Sequence, residues 1–265
     1  MGKRITFEEL EGLVNQFARA LSNLGVEKGD KVAMILPNIP QLVIANLATW
    51  RIGAVAVLNN PLYTERELAY QLDDSDSTVV ITLSLLVGRV LNILPETRVR
   101  KVIGCHINSY LPFPKKQLFP HVKKDMHKKI EPSGNVLVFK DLIKMYSPDP
   151  LDDLGEWDAL STIIYTGGTT GLSKGVMLSI SNISCNVQQF RAWSRADSEG
   201  GGYEEVPGSR PGARPSSGHG GVTHGVRRRR EQGRYTFYSQ QNQYGSFLLF
   251  ANGEHLGSFR SVLCL

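Results

Sequence analysis

From Lys31 to Leu36 (KVAMIL), from Ala54 to Leu58 and from Thr78 to Thr82 the chain passes through short, unbroken apolar runs, and the stretches between them carry helical spacing. A strand buried on both faces has no solvent side, so its apolar residues run on instead of alternating. Such runs, separated by helices, predict an α/β fold: a parallel sheet covered by helices on both faces. Phe7, Leu10, Val14, Phe17, Leu21 and Leu24 recur at steps of three and four, which places them on one helical face. Thr6 followed by Glu9 predicts a capping box, and Gly25 is placed to stop the helix. After Pro40 a largely apolar helix is predicted to about Ile52, then a helix from about Glu65 to Leu72 and a further strand near Val99 to Ile103.

Composition bounds the size of this fold. The chain has 265 residues, of which 41% are hydrophobic, enough for a sizeable core in one large domain or two small ones. No apolar run approaches the roughly 20 residues that span a bilayer, and Met1-Gly2-Lys3-Arg4 leads into a polar helical pattern instead of a signal-peptide core. A cytoplasmic protein is expected. Cys105, Cys185 and Cys264 are far apart and odd in number, so they are read as reduced packing residues.

The averages hide a break after Trp193. Residues 194–265 hold no lysine, nine arginines, six acids and half of the 26 glycines, whereas residues 1–193 hold 13 lysines. The boundary expected from this shift separates a folded part, 1–193, from a Gly/Arg/Ser-rich tail, 194–265, that is disordered or non-native. Two origins would account for such a tail. One is a genuine basic segment able to contact nucleic acid, with Arg227 to Arg230 as its densest patch. The other is a gene read out of frame from about Ser194, since G/C-rich codons mistranslate mostly to these residue types. His219, His224 and His255 lack ligand-like spacing, and no metal site is expected.

Between Tyr110 and Glu131 the pattern changes to YLPFPKKQLFPHVKKDMHKKIE, with six lysines and two histidines around Leu111, Phe113, Leu118, Phe119, Val122, Met126 and Ile130. The prolines exclude one continuous helix. The segment reads either as a solvated basic excursion with a few anchoring side chains or as a contact with a membrane surface or anionic ligand. No recognition helix or ribonucleoprotein-type aromatic pattern surrounds it, so nucleic acid is not its expected partner.

The chemistry is concentrated in one place. Ser161 to Thr166 (STIIYT) predicts a strand, followed directly by Gly167-Gly168-Thr169-Thr170-Gly171-Leu172-Ser173-Lys174-Gly175, the mixed run VMLS and a helix from about Ser181. Four glycines in nine residues let backbone N–H groups converge, Thr166, Thr169, Thr170 and Ser173 add hydroxyls, and Lys174 adds a positive charge. That inventory suits a polyphosphate. A Gly-rich hairpin turn with a solvated lysine would explain the glycines but not the hydroxyls and the lysine together. The spacing is neither that of a Walker A loop, which ends in Gly-Lys-Ser/Thr, nor the dinucleotide G-x-G-x-x-G.

Tyr165 to Ser179 (YTGGTTGLSKGVMLS) resembles the phosphate-binding signature of the AMP-forming adenylating enzymes, the superfamily of acyl- and aryl-CoA ligases. ITFEEL, LGVEKGDKVAMILPN and WRIGAVAVLNNPLYTERELAYQLDDSDSTVVIT resemble the N-terminal half of that family, over roughly residues 1–193. The Thr-Gly-Gly-Thr-Thr-Gly form, with YLPFPKK at Tyr110 to Lys116, resembles bacterial long-chain fatty acid CoA ligases in particular. The resemblance implies that a fatty acid carboxylate attacks the α-phosphate of ATP to give acyl-adenylate and pyrophosphate, and that the CoA thiol then displaces AMP. It implies that Thr166, Gly167, Gly168, Thr169, Thr170, Gly171 and Lys174 contact the β and γ phosphates, with Lys174 the catalytic cation and Mg²⁺ bridging the phosphates. The partners implied are ATP, fatty acid and CoA; the pattern of residues 110–131 adds, as one of its two readings, a peripheral contact at the membrane inner face.

The sequence also departs from that family. Ile180-Ser181-Asn182 stands where a His-Arg-Asn stretch often follows the signature. No convincing aromatic-Gly-x-Thr-Glu motif follows, no lysine lies beyond Lys174, and Asp197, the one aspartate after Trp193, is too near the signature to be the ribose ligand. Met1 falls where the family has an internal hairpin turn, and the match of Met1-Gly2 with Thr6 to a myristoylation pattern is read as coincidence. The expectation is therefore a partial N-terminal domain of an adenylating enzyme, inactive alone. The alternative is a noncatalytic remnant that still binds ATP and whose basic tail touches nucleic acid or membrane.

Overall fold

The structure, a computed structural model, describes residues 5–122, 128–166 and 173–198. Cys264, His219, His224, His255 and nearly all of the expected tail lie outside the described residues. The first helix, α1 (Phe7–Asn23), begins as its sequence predicts: the Thr6 hydroxyl accepts from the Glu9 backbone and the Glu9 carboxylate accepts from the Thr6 N–H at 2.8 Å. It stops at Gly25, whose φ of +82° belongs to the left-handed region that ends helices.

The chain then alternates β1 (Lys31–Ile35), α2 (Pro40–Arg51), β2 (Val55–Leu58), α3 (Glu65–Asp74), β3 (Ser77–Leu83), α4 (Val87–Ile93) and β4 (Lys101–Cys105). The basic stretch contributes one short helix, α5 (Lys115–Val122), and is followed by β5 (Val136–Val138) and α6 (Phe139–Met145). Last come β6 (Leu160–Thr166), β7 (Lys174–Ser179) and α7 (Ile180–Ser198), which continues past the compositional break at position 194.

Among the described residues, seven strands form one sheet in the order β5-β4-β3-β1-β2-β6-β7. Every neighbouring pair from β5 to β6 is parallel, as the unbroken apolar runs require, while β7 returns antiparallel to β6. The sequence does not foresee that return: VMLS lacks a buried strand's apolar run because β7 lies at the sheet's edge, with Val176 and Met177 both exposed. Strand β1 sits between β2 and β3, so right-handed crossovers send α2 to one face and α3 to the other. Helices α1, α2 and α6 pack together, and α3 packs with α4, which gives the two-sided cover.

The core is continuous through the sheet, with Val32, Ala33, Ile35, Val57, Val80, Ile81, Val102 and Ile103 all fully or almost fully shielded. On the α1 face Phe17 meets Phe139 of α6 with ring centroids 4.3 Å apart. Cys105 is buried among these groups, which pushes its thiol pKa up. Cys185, read from the sequence as a packing residue, is exposed on α7 because the outer side of that helix is not covered by any described residue.

Several long-range bonds place β6. Arg19 of α1 donates to the carbonyls of Ser147, Asp149 and Pro150, and Gln16 donates to Tyr146. These bonds tie down the segment that crosses from α6 back toward β6. The Trp50 indole N–H donates to the Ser161 carbonyl at 2.9 Å, fixing the start of β6 against α2.

Candidate functional site

The Gly/Thr stretch connects the two strands of the β6–β7 hairpin at the carboxyl end of the parallel strands, the edge where open α/β sheets bind ligands. Thr166 and Lys174 are the last register pair before the loop. Of the residues expected at a phosphate site, Thr166 and Lys174 are therefore brought face to face. Gly167, Gly168, Thr169, Thr170 and Gly171 lie outside the described residues. The Thr166 hydroxyl is 3.4 Å from the Lys174 carbonyl, a long bond that leaves it available to a stronger acceptor. Lys174 is exposed, and among the described residues no carboxylate pairs with its ammonium. The topology is a hairpin, yet a plain hairpin does not need a hydroxyl and a cation on its last register pair.

Just behind this pair the hairpin is anchored. Tyr165 is buried, and its hydroxyl donates to Asp74 Oδ2 at 2.6 Å, with the Gln71 carbonyl oxygen 3.2 Å away. Burial first, and then the bond to Asp74, raises the phenol pKa above its ordinary value. On the returning side, Gln71 Nε2 donates to Ser173 Oγ at 3.0 Å, while Gln71 Oε1 accepts from Asn59 Nδ2 at 2.8 Å. Both stems of the loop are thus held by α3.

The sequence did not single out Asn59, Gln71 or Asp74. One signal was present: Gln71 falls on the same helical stripe as Leu68 and Leu72, and a glutamine on a buried stripe needs a polar partner. The partner itself is 102 residues away, and no local pattern names it.

The family model described as AMP-binding enzyme matches residues 1–205. The long-chain-fatty-acid-CoA ligase of Bacillus subtilis is 36% identical over 202 residues, which cover 75% of this chain and 36% of that protein. The ligase of the same name from Haemophilus influenzae is 35% identical over 197 residues, covering 72% of this chain and 35% of that protein. This chain therefore spans about a third of the length of those relatives. Among solved structures, a long-chain-fatty-acid-CoA ligase from Archaeoglobus fulgidus superposes with a TM-score of 0.57 at 27% identity, over 72% of this chain and 33% of that one. ATP-bound MatB from Rhodopseudomonas palustris gives 0.56 at 25% identity over 72% and 33%. A mostly parallel sheet flanked by helices, with a Gly/Thr hairpin at its carboxyl edge, agrees with these matches, and the chain belongs to the AMP-binding enzyme family.

Proposed function

We propose that this chain is the phosphate-loop portion of an ATP-dependent, AMP-forming long-chain acyl-CoA ligase. In that reaction a fatty acid carboxylate attacks the α-phosphate of MgATP, pyrophosphate leaves, and the CoA thiol displaces AMP from the acyl-adenylate. Lys174 offsets the charge that builds on the departing pyrophosphate, and Thr166 donates its hydroxyl to a phosphate oxygen. Gly167, Gly168, Thr169, Thr170 and Gly171 supply backbone N–H groups and hydroxyls between them. The observation that carries this reading is that Thr166 and Lys174, which among the described residues has no ion pair, form the last register pair of the β6–β7 hairpin. Long-chain acids are favoured by the names of the relatives and by YLPFPKK at Tyr110 to Lys116.

Nucleotide binding is assigned to this chain and turnover to the full-length enzyme. Calorimetric titration of the chain with MgATP, followed by a pyrophosphate-release assay with palmitate and CoA, tests both assignments. Binding without release is expected. Absence of ATP binding overturns the nucleotide assignment, and pyrophosphate release by this chain overturns the assignment of turnover to a longer one.

The basic segment supports a second element, a peripheral contact with the anionic inner face of the membrane in a cytoplasmic protein. Around α5, Phe113 is 79% exposed, Leu118 53% and Val122 72%, in a stretch whose sequence carries six lysines, of which Lys115, Lys128 and Lys129 are exposed. Exposed apolar side chains in a lysine-rich stretch suit an anionic lipid surface. Ile130 is buried and anchors the far end of the segment. Cosedimentation with phosphatidylserine vesicles should be lost on Phe113→Asp; equal binding to neutral vesicles would refute the contact.

A further inference from the structure

Gln71 is 1% exposed and lies at the centre of a polar relay that joins three separate parts of the chain. Its amide accepts from Asn59, just beyond β2, and donates to Ser173, the residue before β7. One turn further along α3, Asp74 accepts a hydrogen bond from the Tyr165 hydroxyl of β6 at 2.6 Å. The two anchors therefore grip opposite stems of one hairpin from one helix.

The direction of the Ser173 bond matters. Because the Ser173 oxygen accepts from Gln71, its own O–H is left as a donor, and the amide bond fixes where that oxygen sits. A hydroxyl so held is prepared to donate to an anion, whereas a free serine rotor has to be ordered when the ligand arrives. The Asn59 bond holds the Gln71 amide in this orientation: its carbonyl faces the Asn59 N–H₂ group, which leaves its N–H₂ directed at Ser173.

We infer that α3 is the positioning element of the nucleotide hairpin: Gln71, held by Asn59, sets the Ser173 hydroxyl as a phosphate donor, and Asp74 locks the Tyr165 stem opposite. This inference rests on the nucleotide reading given above for its ligand. The clamp itself rests only on the three hydrogen bonds, from Asn59 to Gln71, from Gln71 to Ser173 and from Tyr165 to Asp74.

The test uses the full chain with Gln71→Leu, Ser173→Ala and Tyr165→Phe, read first without nucleotide by amide hydrogen exchange. Loss of one hydrogen bond is expected to raise exchange at Lys174 and Gly175 about fivefold. Unchanged exchange there in folded Gln71→Leu and Tyr165→Phe chains overturns the clamp. With MgATP, Gln71→Leu and Ser173→Ala should each weaken binding about fivefold, and the double variant should be no weaker than either single one, since both cut the same bond. Ser173 is partly exposed, so Ser173→Ala keeps the test readable if Gln71→Leu fails to fold. Additive losses, or unaltered affinity, overturn the positioning role. Absence of ATP binding by the unmutated chain overturns the nucleotide reading alone, and the exchange result still decides the clamp.

Discussion

Tyr165 and Gly175 face each other across the β6–β7 hairpin, and the glycine leaves free the space that the tyrosine ring borders. A Cβ at position 175 would stand 2.9 Å from Ile163 Cγ2 and 3.4 Å from the Tyr165 ring. Those neighbours cannot both give way, because the Tyr165 hydroxyl is bonded to Asp74 and Ile163 is β-branched and buried. Gly175 is therefore set by the tyrosine anchor as well as by the loop it follows.

Gly175→Ala tests that relationship. Removing a glycine from a strand ordinarily gains about 0.5–1 kcal/mol. Forced overpacking costs about 1–3 kcal/mol, which exceeds the gain. Net destabilisation is expected in urea unfolding of the chain, and a more stable variant would show that the ring moves aside freely.

What was legible in the sequence follows physical range. The capping box at Thr6 and Glu9, the stop at Gly25 and the buried parallel strands are local or periodic, and each lies within a residue or two of its expected place. Helices α4 and α6 have seven residues each and β5 has three, too few for a period to show. Edge strand β7 has no burial pattern to betray it. The loop stands out in the sequence because its residues are contiguous, from Thr166 to Lys174, whereas the place of Gln71 on a buried stripe calls for a polar partner without naming Ser173, 102 residues away.

Phe17 joins α1 to α6 and thereby holds the crossover that delivers β6. It is fully buried against Phe139, and truncating such an aromatic side chain costs about 3–5 kcal/mol. Whole domains are stable by only about 5–15 kcal/mol. Phe17→Ala should accordingly move the urea midpoint far down or unfold the chain. A midpoint close to that of the unmutated protein would mean that α1 docks without this contact.

Lys174→Ala should separate folding from binding. The side chain is exposed and among the described residues carries no ion pair, so thermal unfolding should hardly change. A charge-assisted contact to phosphate contributes about 1.5–3 kcal/mol, so MgATP affinity should fall about 10- to 100-fold. Wild-type affinity in the variant would remove Lys174 from the phosphate site.

The Tyr165–Asp74 contact makes a pH prediction with a definite sign. Burial, and then the bond to Asp74, raises the phenol pKa in the folded chain above its usual value of about 10. The folded hairpin thus keeps this proton at a pH where the unfolded chain has released it. Stability from the contact is complete below about pH 10 and declines as pH rises from there through the folded pKa. Thermal unfolding of the chain and of Tyr165→Phe should therefore differ most near pH 8 and converge toward about pH 11, since only the tyrosine can lose the proton. A gap that stays constant across that window would show that the Tyr165 hydroxyl contributes nothing as a donor to Asp74.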